Sequence, residues 1–154
     1  MKLIRSTDDS LLFQLGRQEK RLLLDLLKRY PCLPLEHQPL SKHANLPNQQ
    51  SSQALLQEAL AEQREENKKL LQAFLAAPAR LHDTQTGCRL SVPKSDLEWL
   101  LQILNDIRIG SWIRLGSPEE KLDRINEQTA PDLWAMEVAG FFQMQILHAC
   151  QHQS

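Results

Sequence analysis

Glycine is scarce, at five of 154 residues. That leaves little material for a phosphate-cradling loop, and the sequence has no GxxxxGK[ST], no GxGxxG after a strand, no GxSxG elbow and no HExxH pair. Cysteine is also rare. Cys32, Cys88 and Cys150 are an odd number, far apart and without a CxxC, which predicts free thiols in a reducing compartment and hence cytoplasmic residence. No charge of one sign dominates: 18 Lys and Arg stand against 19 Asp and Glu. A net charge of −1 gives no case for wholesale attraction to nucleic acid or a membrane surface. Long apolar runs are missing too. Residues 133–150 come nearest to a membrane span, but Glu137, Gln143, Gln145 and His148 interrupt them. The first nine residues turn charged too early to hold the apolar core of a signal peptide.

What is abundant is leucine, with 29 positions against thirteen for Val, Ile and Thr together. Straight-chain residues lose little rotamer freedom in a helix, whereas β-branched ones lose more. The expectation is therefore a single, mainly α domain over residues 1–154, an all-α helical bundle with one or two short β-hairpins. A chain of this length buries enough surface to need no disulfide or metal. Local signals place the elements. Lys2 to Arg5, a polar turn over Ser6 to Asp9, and alternating Leu11, Phe13 and Leu15 predict a hairpin over 1–16. Leu23, Leu26, Leu27 and Tyr30 then fall at helical spacing until Pro31. Residues 31–49, with Pro31, Pro34, Pro39 and Pro47, predict an irregular connector that is mobile in part.

A second helix is expected over Ser52 to Ala77. Leu56, Leu60, Gln63, Asn67, Leu70 and Phe74 form a heptad seam with two polar positions, and Glu62 to Lys69 holds no apolar residue. This stretch predicts a solvated projection, the sharper alternative being a polar layer that sets register against a partner helix. Strands are expected at Arg80 to Asp83 and Cys88 to Val92, and a helix over Ser95 to Leu115. Ser117-Pro118-Glu119-Glu120 reads as a capping box that opens another helix. The last helix is expected from Pro131 to Cys150, and no internal repeat is visible. Charge is unevenly divided, from net +2 over residues 1–40 to net −4 over 93–154.

Three constellations invite a functional reading. In the helix after Pro93, Glu98, Gln102, Asn105 and Asp106 share an edge opposite Leu100, Ile103, Leu104 and Ile107. Asn105, Asp106, Arg108 and Arg114 could line a polar cleft, the basis for an alternative function as a small enzyme or ligand-binding protein. The plainer reading is a core helix in which Ser111 permits close approach and Arg114 pairs with Asp132 or Glu137. One Asp and one Arg do not make acid–base machinery without a cleft and a shifted pKa, so no catalytic residue is assigned. His148, Cys150 and His152 suggest a metal, but on a helix Cys150 points away from His148, so no metal and no cofactor is expected. The run Arg17, Lys20, Arg21, Lys28 and Arg29 suggests phosphate contacts. Intervening Glu19 and Asp25, and the lack of aromatic residues, favour a solvated helix face.

The run Leu90-Ser91, Trp99-Leu100, Leu104-Asn105-Asp106-x-Arg108 and Arg114-Leu115-Gly116 resembles an uncharacterised bacterial family of unknown function. That family is common in actinobacteria and often encoded near the adaptor of the Clp protease. The spacing of Phe13, Glu19 and Leu26-Leu27 and the Trp134 helix are similar in layout, so the resemblance covers most of the chain. The sequence departs from it at Ile109-Gly110-Ser111, where an apolar residue leading into a later glycine is expected. The resemblance implies a helical domain with no known activity, no catalytic residues, and a link to proteolysis or its regulation.

The final helix points to association. Between Pro131 and Cys150 the formal charges are Asp132 and Glu137 alone, and apolar residues occur on every side. Such a helix is either central to the core or covered by another chain. Core burial is the commoner outcome. For association, the expectation is a homodimer whose contact includes Trp134, Phe141 or Phe142. The function expected is a non-enzymatic cytoplasmic interaction module, an adaptor or regulatory subunit with an unidentified protein partner, acting on neither nucleic acid nor membrane.

Overall fold

A computed structural model describes residues 1–34, 49–119 and 125–151. In chain order it contains β1 (Lys2–Ser6), β2 (Ser10–Gly16), α1 (Arg17–Leu27), α2 (Gln49–Ala76), β3 (Leu81–Asp83), β4 (Gly87–Pro93), α3 (Lys94–Arg114) and α4 (Ala130–Gln151). Among the described residues helix makes up 61%, but strand makes up 17% and forms one four-stranded antiparallel sheet. The fold is therefore mixed α/β, and the expected mainly α, all-α bundle is incorrect. Both hairpins were legible; what joins them was not. Strand order is β1-β2-β4-β3, so β2 and β4 zip the hairpins together along their whole lengths, from Ser10 opposite Pro93 to Gly16 opposite Gly87.

The pairing follows from side-chain alternation. Leu11, Phe13 and Leu15 project from one face of β2, opposite Val92, Leu90 and Cys88 of β4, and all six are buried. One-residue slippage would turn this apolar set to solvent, so the register is strongly specified. The β-branched deficit that argued for helix does not prevent a sheet, because Leu and Phe fill a half-buried pleated face once a layer of helices covers it. That layer holds Leu23, Leu26 and Leu27 of α1, Leu100, Ile103, Leu104 and Ile107 of α3, and Phe142 and Ile146 of α4.

Each hairpin runs straight into a helix, at Gly16–Arg17 and Pro93–Lys94, and a second helix follows each time. The order ββαα thus occurs twice among the described residues, a repetition of topology that no sequence repeat announces. Helix α1 starts with Glu19 accepting the Gly16 N–H at 3.0 Å, half of a capping box.

The capping box expected at Ser117 is a second correction. Gly116 has φ +90° and Ser117 φ +53°. Their N–H groups bond back to Ile113 O at 2.9 Å and Trp112 O at 3.0 Å, which is the Schellman pattern of a helix end. Ser117 closes α3 and is not the extended N-cap of a following helix. Pro118 and Glu119 are not helical, and residues 120–124 of that expected helix lie outside the described residues. So does most of the connector expected over 31–49.

Candidate functional site

Helix α3 has a buried stripe and a polar edge, and the polar edge faces α2 across the chain segment that leaves α1. The segment Tyr30-Pro31-Cys32-Leu33 passes between the two helices and is tied to both. Asp106 Oδ1 of α3 accepts the Cys32 N–H at 2.7 Å and the Leu33 N–H at 3.2 Å. From α2, Arg64 donates to Leu33 O, and Asn67 Nδ2 donates to the Tyr30 hydroxyl at 3.1 Å. Gln63 donates to Asn67 Oδ1 at 3.2 Å. These groups, with Gln102 and Asn105, line a cleft of about 250 Å³.

The crossing is close because Gly110 lies under it. A Cβ at Gly110 would stand 2.4 Å from the Cys32 carbonyl carbon, far inside van der Waals contact. The next residue, Ser111, is fully buried. Gly110 and Ser111, small and adjacent, are the residues that let the segment pass over α3.

The seam of α2 is rotated from the expected one. Leu71 and Phe74 face inward, Leu70 is exposed, and the inward line runs Leu60, Arg64, Asn67, Leu71, Phe74. Asn67 does sit on a polar layer, but its partner is Tyr30 of the same chain. Phe74 meets Trp99 with ring centroids 5.8 Å apart.

Of the expected polar cluster, the structure brings Asn105 and Asp106 to the cleft and leaves two members elsewhere. Arg108 donates to Asn105 at 3.1 Å and lies beside Gly140 of α4. Arg114 stands 3.8 Å from Asp132, which also accepts a 2.7 Å bond from Arg29. Sequence reasoning did not bring Tyr30, Arg64 and Asn67 to this cleft, because α1 and α2 are joined across residues 35–48 and periodicity carries no information about which helix faces which.

The chemistry of the cleft is that of a strap. Burial pushes the Asp106 carboxyl above its ordinary value, opposed by the two backbone N–H bonds and by Arg64 and Arg114. Burial likewise raises the Cys32 thiol, so it is the opposite of an activated thiolate. Its Sγ donates to Arg29 O at 3.1 Å. The carboxylate is spent on backbone amides, and the nearby thiol is held protonated.

At the other end of the fold, α4 turns Ala135, Ala139, Phe142, Ile146 and Ala149 into the core. Phe142 is 1% exposed, so of the three expected interface residues it belongs to the chain's own interior. Trp134 is half-buried against the core. Phe141 is 42% exposed, and with Met144 at 66% and Leu147 at 42% it gives α4 an apolar outward face. His148 is exposed and Cys150 half-buried on the same helix, while His152 lies outside the described residues.

Among the described residues, no group of three or more His, Cys, Asp or Glu converges to hold a metal ion. No described helix is long and apolar enough to cross a membrane. All three cysteines are free thiols. Comparison with models of known protein families, with curated proteins and with solved structures found no match.

Proposed function

We propose that the protein is a non-enzymatic interaction module that pairs with a second copy of itself through the outward face of α4. The observation that carries this reading is the exposure of Phe141, Met144 and Leu147 on a helix whose other face is fully used in the core. Contiguous exposed apolar side chains on a small domain mark contact surfaces. An antiparallel pairing with its two-fold axis at Met144 sets the most exposed of the three at the centre of the contact. A closed two-fold is also the commonest symmetry of homo-oligomers.

The alternative, a ligand-binding or catalytic cleft at Asn105 and Asp106, has less support. Its carboxylate already accepts two backbone bonds, and Arg108 and Arg114 are not among its lining residues.

Sedimentation equilibrium tests the pairing. The wild type is expected to dimerise, and Met144→Asp to be a folded monomer with an unchanged circular dichroism spectrum. Met144→Cys is expected to cross-link to itself under oxidation, because the two-fold axis passes beside it, whereas Glu137→Cys is not. A wild type that stays monomeric at about 100 μM, the range where even weak surfaces associate, would overturn the reading.

A further inference from the structure

The basic residues of α1 line a second cleft that the interaction face does not use. It lies between α1 and the β3–β4 turn, has a volume of about 490 Å³, and is walled by Arg17, Lys20, Arg21 and Lys28 on one side and by Asp83 and Thr84 on the other. The spacing 17, 21, 28 sets three of these cations along one side of the helix. Among the described residues two carboxylates answer these four cations. Lys20 pairs with Asp83, and Lys28 stands 3.9 Å from Asp25. Arg17 Nη2 donates to the Gln85 carbonyl at 2.6 Å, a neutral acceptor that leaves its charge uncompensated among the described residues. Arg21 is exposed on the same wall. Opposite it, Thr84 Oγ1 is buried without a hydrogen-bond partner among the described residues.

We propose that this cleft binds a compact phosphate anion carrying more than one phosphoryl group, either free or as the diphosphate end of a small metabolite. Uncompensated guanidinium groups recognise phosphate oxygens bidentately, and Arg21 is exposed on this wall to do so. The size is within the range of small-molecule pockets. The lining argues against a nucleic acid strand, because it holds no aromatic side chain on which bases could stack. Its one apolar member, Leu24, gives a bilayer no anchor. The site rests on side chains and not on the helix N-terminus, where Glu19 already accepts the first amide.

Isothermal titration with orthophosphate, pyrophosphate, tripolyphosphate and ADP, at low and at physiological salt, tests the proposal. Pyrophosphate is expected to bind more tightly than orthophosphate and to weaken as salt rises. Arg21→Gln should weaken it about tenfold, the loss expected for one charge-assisted contact. The double variant with Arg17→Gln should abolish binding, and Lys68→Gln on α2 should leave it unchanged. ADP binding no tighter than pyrophosphate assigns recognition to the anion alone, and tighter binding assigns it to a phosphoester metabolite; both support the site. No binding at about 5 mM, the weak end of specific recognition, would overturn it. So would affinity unaffected by Arg21→Gln, or a single-stranded oligonucleotide that outcompetes pyrophosphate.

Discussion

The two helices that close the two ββαα halves, α2 and α4, have the same place in the topology and opposite relations to the core. Helix α2 is 28 residues long and commits Leu71 and Phe74 near its end to the interior. Its middle is held by polar bonds from Arg64 and Asn67 to the Tyr30–Leu33 segment. Helix α4 is 22 residues long and buries Ala135, Ala139, Phe142, Ile146 and Ala149. Three of those are alanines, which bring its axis close to α3 and let large neighbours fill the space. The difference teaches that a helix made of polar residues is attached by directional bonds at a few points, whereas an apolar one is attached along its length. The first can loosen locally; the second unfolds only with the whole domain.

The strongest way to break the α4 side is Phe142→Ala. Phe142 is among the largest fully buried side chains, and its loss should cost about 3–5 kcal/mol by the usual transfer and cavity terms. Urea denaturation should then find the variant close to unfolded at 37 °C. A cost under 1 kcal/mol would mean that α4 is not central to the core. Gly110→Ala breaks the close crossing over α3. The methyl group would press on the Cys32 backbone, and overpacking of about 1–3 kcal/mol outweighs the helix propensity gained over glycine. A stabilised variant would show that the segment lies farther from α3.

On the α2 side, Phe74→Ala removes the contact with Trp99. Phe→Ala changes at buried sites cost about 3–5 kcal/mol, toward the low end where the neighbours can relax. The sharper readout is hydrogen exchange: amides of α2 should speed up more than those of α4. Equal acceleration in both helices would erase the contrast between them.

Asp106 supplies a pH test of the strap. Burial raises its folded-state pKa above the ordinary carboxylate value. Between the unfolded and the folded pKa the native state therefore binds more protons, so this group's contribution falls as pH rises through that window and is fully present below it. Asp106→Asn keeps an oxygen acceptor and removes the titration. Wild type minus variant stability should therefore increase on acidification from neutral pH to below about 3.8. A difference that is flat with pH would show that burial and the bonds to Cys32 and Leu33 cancel. The smallest effect is expected for Phe141→Ser. On the exposed face it should change monomer stability by less than about 0.5 kcal/mol while weakening self-association in the ultracentrifuge.

Much of the fold was legible in the residues because it is local. Alternation at Leu11, Phe13 and Leu15 and at Cys88, Leu90 and Val92 marked two strands, Pro31 and Pro93 marked boundaries, and the 3.6-residue period marked the helices. The fold class was misjudged because leucine abundance counts residues and says nothing of pairing. Phe13 and Leu90 lie 77 positions apart, and only their packing under three helices makes two hairpins one sheet. The candidate site divided in the same way. Asn105 and Asp106 were visible on one helix edge, but Tyr30, Arg64 and Asn67 reach them from other elements. Phe141 and Phe142 are neighbours of equal hydrophobicity, and the sequence had no means of separating them.

The sequence by itself therefore determined the extent of most elements, the faces of β2 and β4, and the unequal characters of α2 and α4. These depend on residues a few positions apart, whose spacing sets how much apolar surface each face offers. The tertiary structure alone decided which faces meet: that β2 pairs with β4, that Asp106 is spent on the Cys32 and Leu33 amides, and that Phe142 is interior while Phe141 is not. Those outcomes depend on contacts between distant segments, where burial of one face excludes water from it and leaves the opposite face to solvent.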